Sequence, residues 1–173
     1  MFLKLIGGAM VILSCSMIGF IIAASYKQRP DTLRNLQAAL SMMESEINYG
    51  QTPMPEALSR VAKNCEGEVS ELFRKTKTHI ISHSGFTPSE GWEMALKDFS
   101  MNTALKQVDI EILSAFGKYL GSTDRDDQIK KIELAIAGLK QQETIALEEK
   151  IKNEKLWKYL GVLSGIMFFL LLY

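Results

Sequence analysis

The residues able to do chemistry are few, and their spacing speaks against each chemistry in turn. His79 and His83 stand four apart on one predicted helix, the interval that lets two imidazoles share a metal ion. A zinc-protease helix would carry glutamate directly after the first histidine, where this chain has Ile80, and no third ligand follows at a telling distance. The pair therefore reads as surface histidines on a helix that is ending. The run Asp124-Arg125-Asp126-Asp127 is dense enough in carboxylate to suggest calcium. An EF-type loop starting there would need glycine at its sixth position and glutamate at its twelfth, and Ile129 and Ala135 stand in those places. No glycine-rich loop ends in Lys-Ser or Lys-Thr, so the usual nucleoside-triphosphate loop is missing. No serine or cysteine sits in a nucleophile context. The expectation is a non-enzyme with no catalytic, cofactor-binding or metal-ligating residue and no small-molecule substrate, which takes any energy it uses from a partner.

Charge narrows the class of partner. Twenty basic residues balance twenty acidic ones, so the basic excess that marks phosphate-backbone binding is absent and nucleic acid is not expected. All the acidic residues lie between Tyr26 and Leu156, with every Lys and Arg except Lys4 and Lys158. A charged middle thus hangs between two apolar ends. The two cysteines fall in different parts, Cys15 in the first apolar stretch and Cys65 in the middle, which implies no disulfide framework.

The elements that must position all this are helices. The last third is expected to be one long helix. Tyr119-Leu120-Gly121 reads as a stop, with Gly121 in the left-handed position that closes a helix, and Ser122, Thr123 and Asp124 offer cap oxygens to the next. From there Ile129, Ile132, Ile136 and Leu139 recur at helical spacing, and no proline appears before Tyr173. At 1.5 Å per residue the run would be about 75 Å long, more than a small domain needs. Beyond Lys155 the polar face disappears, leaving an apolar end at the short limit for crossing a bilayer, with Trp157, Lys158 and Tyr173 suited to its interfaces.

At the other end Leu5 to Ser25 is uncharged and has the length of a spanning helix. A cleaved secretory signal is the competing reading, since Lys4 precedes the run and Ala23-Ala24-Ser25 resembles a cleavage site, but the apolar stretch is long for a signal core. Lys27, Arg29 and Arg34 follow the first segment, and Lys150, Lys152, Lys155 and Lys158 precede the last. Both segments satisfy the positive-inside rule when the middle is cytoplasmic and both termini face out. The expected division is an anchor at 1–26, a cytoplasmic bundle at 27–155 and a second membrane helix at 156–173. Cys15, Gly19 and Ala23 form one small-residue stripe and Gly161 and Gly165 another, the pattern of membrane helices that pack closely; the stripes could meet each other, another protein or lipid.

Between the anchors the periodicity is helical throughout, and no stretch alternates with period two. Pro30 and Asp31 are expected to open a helix bearing Leu33, Leu36, Leu40, Met43 and Ile47, which Gly50 ends. A linker at Thr52-Pro53-Met54-Pro55-Glu56 introduces a second helix with Leu58, Val61, Ala62 and Cys65 inward. After Gly67 a third presents Val69, Leu72, Phe73, Thr76 and Ile80. Thr87-Pro88-Ser89-Glu90 has the form of a capping box and starts a fourth, with Trp92, Ala95, Leu96 and Phe99 inward. A fifth, from about Thr103 to Leu120, presents Leu105, Val108, Ile112, Leu113, Phe116 and Leu120. The fold class is all-α, an antiparallel bundle of about six helices flanked by membrane helices, the last soluble helix continuing into the membrane.

Three fragments in this order carry a family resemblance: Gly50-Gln51-Thr52-Pro53-Met54-Pro55-Glu56-Ala57-Leu58, then Phe116-Gly117-Lys118-Tyr119-Leu120-Gly121-Ser122-Thr123-Asp124 with Gln128, then Lys152-Asn153-Glu154-Lys155-Leu156-Trp157-Lys158-Tyr159-Leu160-Gly161. Over its whole length the chain resembles the stage III sporulation protein AB family of endospore-forming bacteria. That resemblance implies a domain similar to the cytoplasmic part of type II secretion platform proteins. It also implies residence in the mother-cell membrane around the forespore, within the channel that joins the two cells. The implied partners are the stage III sporulation AA ATPase, other proteins of the same complex and membrane lipid, with self-association compatible. A platform component of a general type II secretion or pilus-like system is the alternative; those platforms repeat the helical domain, and this chain has one copy. For partner contact the expected corner is Gly121, Ser122, Thr123, Asp124, Arg125, Asp126 and Gln128, polar, family-like and about 45 Å along the helix from the membrane. A solvated helix cap is the other reading of the same residues.

Overall fold

Six helices follow one another in the computed structural model, which describes residues 2–49, 52–82, 86–121 and 124–172: α1 (Phe2–Tyr49), α2 (Met54–Asn64), α3 (Gly67–Ser82), α4 (Pro88–Met101), α5 (Gln107–Gly117) and α6 (Arg125–Leu172). No strand occurs among the described residues. At most positions of 2–25 and 154–172 only the helical backbone is described. The chain divides into two compact units, Asp31–Glu143 and the two end segments Met1–Pro30 and Thr144–Tyr173 taken together.

In the Asp31–Glu143 unit the apolar spacing of α1 places Leu33, Leu36, Ala39, Leu40 and Met43 on one buried stripe. The polar flank of that stripe fixes its neighbour: Arg34 Nε and Gln37 Nε2 donate to Glu143 of α6 at 2.9 and 2.8 Å. Arg125, at the start of α6, donates to Asn48 near the end of α1 at 3.3 Å, so the two helices run antiparallel here. The short helices join through equally local devices. Arg60 of α2 pairs with Glu46 of α1 at 3.2 Å, Ser70 of α3 donates to the Ala62 carbonyl at 2.6 Å, and Lys75 of α3 meets Asp98 of α4 at 2.9 Å.

Trp92 of α4 is the hub of the core. It is 1% exposed, meets Phe73 of α3 and Phe116 of α5 edge-to-face at 5.4 and 5.1 Å, and donates its indole N–H to the Leu113 carbonyl at 2.9 Å. Burying so large a ring is favourable only because its one polar atom finds a partner. The predicted capping box at the head of α4 is complete: the Glu90 amide donates to Thr87 Oγ1 at 3.2 Å and the Thr87 amide to Glu90 Oε2 at 2.8 Å. That bond to the Thr87 amide, backed by the Thr87 hydroxyl, holds the Glu90 carboxyl below its ordinary pKa.

Four expectations need correction. Pro30 does not open a helix; α1 passes through it unbroken. Proline costs an interior helix one hydrogen bond and a clash, and here Arg29 and Pro30 are themselves buried, so their packing offsets that cost. Cys65 is half-buried and lies one residue beyond α2, where the backbone has already turned extended. Ile80, Leu105 and Ile112 are half-buried rather than in the core. The fifth helix begins at Gln107, and its first buried side chain is Asp109, not Val108, which is 49% exposed. Asp109 accepts the Lys106 amide at 2.8 Å, so the carboxylate is turned inward to satisfy a helix start.

In the unit formed by the end segments, Arg29 of α1 is 6% exposed and pairs with Glu149 of α6 at 3.2 Å, and Ala146 is buried. The large apolar side chains described further out are exposed. Met10, Met17 and Ile21 share one face of α1, and Leu156, Leu160, Leu163 and Met167 share one face of α6. Among the described residues no helix is long and apolar enough to cross a membrane; much of the runs 5–25 and 156–173 lies at positions described by backbone alone.

Candidate functional site

The corner between α5 and α6 is built from a glycine, a cap and two ring contacts. After Gly117 the chain makes a turn through Lys118, Tyr119 and Leu120, whose amides return to Ser114, Phe116 and Gly117 at 3.0–3.3 Å. Leu120 is buried and Tyr119 exposed, with the Lys131 ammonium 4.5 Å above the tyrosine ring. Gly121 then takes φ +82°, as the expected stop requires. A side chain there would also run into Pro88, whose Cγ lies 2.5 Å from where a Cβ would stand. Asp124 caps α6, accepting the amides of Asp126 and Asp127 at 3.0 and 3.3 Å.

The seven residues expected to meet a partner therefore divide. Ser122 and Thr123 lie outside the described residues. Gly121 is set against Pro88, and Gln128, 7% exposed, is turned into the protein. Asp124 is occupied in capping and Arg125 reaches across to Asn48. Asp126 stands exposed, and so does Asp127, which was not among the seven. The exposed charged side chains of the corner are Asp124, Arg125, Asp126 and Asp127.

Of the residues expected to pack in a membrane, Cys15, Gly19 and Ala23 fall on the helical backbone of α1 and Gly161 and Gly165 on that of α6; their packing lies outside the described residues. Both stretches belong to the same compact unit. His79 is half-buried on α3, and His83 lies outside the described residues. Among the described residues no three His, Cys, Asp or Glu side chains are grouped to hold a metal ion. Cys65 sits in surroundings where burial raises its thiol pKa, which disfavours a nucleophilic thiolate.

The family sequence profile described as stage III sporulation protein AB matches residues 4–173. The chain belongs to the stage III sporulation protein AB family. A curated relative, stage III sporulation protein AB of Bacillus subtilis (strain 168), is 38% identical over 170 residues, covering 98% of this chain and 99% of its own. A solved structure of a stage III sporulation protein AB is similar with a TM-score of 0.67 and 35% identity, over 72% of this chain and 97% of that one. Membership of the stage III sporulation protein AB family implies a role in sporulation.

Proposed function

We propose that this chain is a non-enzymatic membrane platform subunit of the channel joining mother cell and forespore, coupling a cytoplasmic secretion-type ATPase, the stage III sporulation AA protein, to the membrane complex. The observation that carries the reading is α6, a single helix from Arg125 to Leu172 whose first turn forms the candidate corner and whose last turns are apolar. An unbroken helix with no proline is stiff enough to pass a push or a rotation along its length. The exposed apolar stripes of Met10, Met17 and Ile21 and of Leu156, Leu160, Leu163 and Met167 support lipid contact, since a water-soluble surface rarely presents such rows. The basic residues that flank both apolar runs support a cytoplasmic middle with both termini outside; the resemblance to the family implies the mother-cell membrane around the forespore as the place.

Two experiments test the reading. A single cysteine at exposed Ser82, in a Cys15→Ala, Cys65→Ala background, should react with a membrane-impermeant maleimide only after permeabilisation. Labelling of intact cells would put the bundle on the wrong side for an ATPase. Ala146→Pro, which breaks α6 between its two ends, should abolish sporulation while the chain still accumulates in the membrane. Normal sporulation in that strain would remove the coupling role.

A further inference from the structure

The two exposed apolar rows of the end-segment unit are headed by different chemistry. On α6, Leu156, Leu160, Leu163 and Met167 are 45–64% exposed and fall at steps of three and four, so they form one outward row. One turn before Leu156 the same face carries Lys152, also exposed, and one turn before that Glu148. On α1 the row of Met17 and Ile21 leads, seven residues on, to Gln28, which is exposed and uncharged. Lys27 stands about 100° round the helix from it. Gln28 is next to Arg29 and Lys152 is three residues from Glu149, so the 3.2 Å Arg29–Glu149 pair brings the two row heads to within about one turn of the same height.

Charge is therefore sorted along the α6 face: carboxylate, then ammonium, then the apolar row. Among the described residues Lys152 makes no ion pair, and an exposed Glu–Lys contact one turn apart would be worth little. An anion that arrives from the apolar side meets the lysine first. A phospholipid brings that combination, an acyl chain for the row and a phosphate for the ammonium. A zwitterionic lipid carries its own cation beside the phosphate, so Lys152 favours a lipid with net negative charge. We infer that the outer face of α6 seats an anionic phospholipid, its phosphate on Lys152 and an acyl chain along Leu156, Leu160 and Leu163, whereas the α1 row under Gln28 takes lipid without regard to charge. The inference rests on the membrane placement proposed above and adds the lipid class and the residue that selects it.

The test reconstitutes the full chain in vesicles of equal parts phosphatidylglycerol and phosphatidylcholine, in which one lipid or the other carries brominated acyl chains that quench a neighbouring indole. Leu163→Trp in a Trp157→Phe background reports on the α6 row and Met17→Trp in the same background on the α1 row, with buried Trp92 a constant signal. At the α6 reporter the quenching should give a preference for phosphatidylglycerol of about fivefold, the worth of one lysine at an anionic surface. Lys152→Gln should bring the two lipids to within about twofold, and Lys27→Gln, an equal loss of an exposed cation on α1, should leave the preference intact. The α1 reporter should see both lipids alike. Equal preference at both reporters, or equal loss in the two lysine variants, overturns the proposal in favour of diffuse attraction. Its abolition by inorganic phosphate at constant ionic strength would make Lys152 a site for a free anion and also overturns it. Quenching at the α1 reporter with none at the α6 reporter would mean that protein covers the α6 row, and the proposal falls while the membrane placement stands. Quenching at neither reporter would remove both.

Discussion

Gly117 exists for Trp92. A Cβ at 117 would run into the indole, 2.7 Å from Nε1 and nearer still to Cδ1, so that edge of the ring sits against the α5 backbone where any other residue would hold it off. The same indole N–H reaches the Leu113 carbonyl one turn earlier, which locks the ring against α5 from two sides. Gly117→Ala must therefore push Trp92 away from Leu113, Phe73 and Phe116 together. We expect a loss of about 1–3 kcal/mol, the usual cost of overpacking, read as a lowered thermal midpoint of the full chain. In a Trp92→Phe background, where the clashing ring atoms are gone, the same change should cost clearly less; an undiminished penalty would place the cause elsewhere.

Gly121 and Gly67 both have positive φ, +82° and +60°, but they face different surroundings. A Cβ at 121 meets Pro88, whereas nothing lies within 4 Å of one at 67. Gly67→Ala should cost only the backbone term, about 1–2 kcal/mol. Gly121→Ala should cost that and the displacement of Pro88 from the first turn of α4, so its loss in thermal stability should be the larger of the two. Equal losses would show that Pro88 yields freely.

The helices were legible because each carries its own periodic stripe and punctuation. Thr87-Pro88-Ser89-Glu90 could be read as a complete cap, and Gly121 as a left-handed stop, because in both the chemistry is local to a few residues. Pro30 misled because a local rule met a non-local fact: burial of Arg29 and Pro30 outweighs one missing amide. Val108 misled because the face of α5 is set by Asp109 turning inward to the Lys106 amide, and polarity alone points the other way. At the corner, sequence could not divide the segment, since the roles of Gly121, Arg125 and Gln128 depend on Pro88, Asn48 and packing from distant parts of the chain.

Glu143 gives the bundle a pH dependence of defined sign. Burial pushes its pKa up, but the Gln37 amide and the Arg34 guanidinium more than offset that, and the carboxyl is held below its ordinary range. A carboxyl with a lowered folded-state pKa contributes stability that is fully present above its unfolded value, about 4.3, and is lost as pH falls through the folded value. Melting curves should show the wild type falling toward Glu143→Gln as pH drops from neutral to below about 4. A gap between the two that is constant across that window would mean the carboxylate charge contributes nothing.

Asp124 and Asp126 separate the two roles of the corner. Asp124 holds two amides of the first turn of α6, so Asp124→Ala should lower stability by about 1 kcal/mol. Asp126 is exposed and its substitution by Ala should stay within about 0.5 kcal/mol. If the corner is the ATPase contact, Asp126→Ala with Asp127→Ala should cut sporulation and binding of the purified ATPase to the full chain in nanodiscs, while Asp124→Asn, which keeps a cap oxygen, leaves both intact. The opposite ranking, with only the cap variants impaired in proportion to their melting temperatures, would make the corner a folding device and leave the partner surface elsewhere on the bundle.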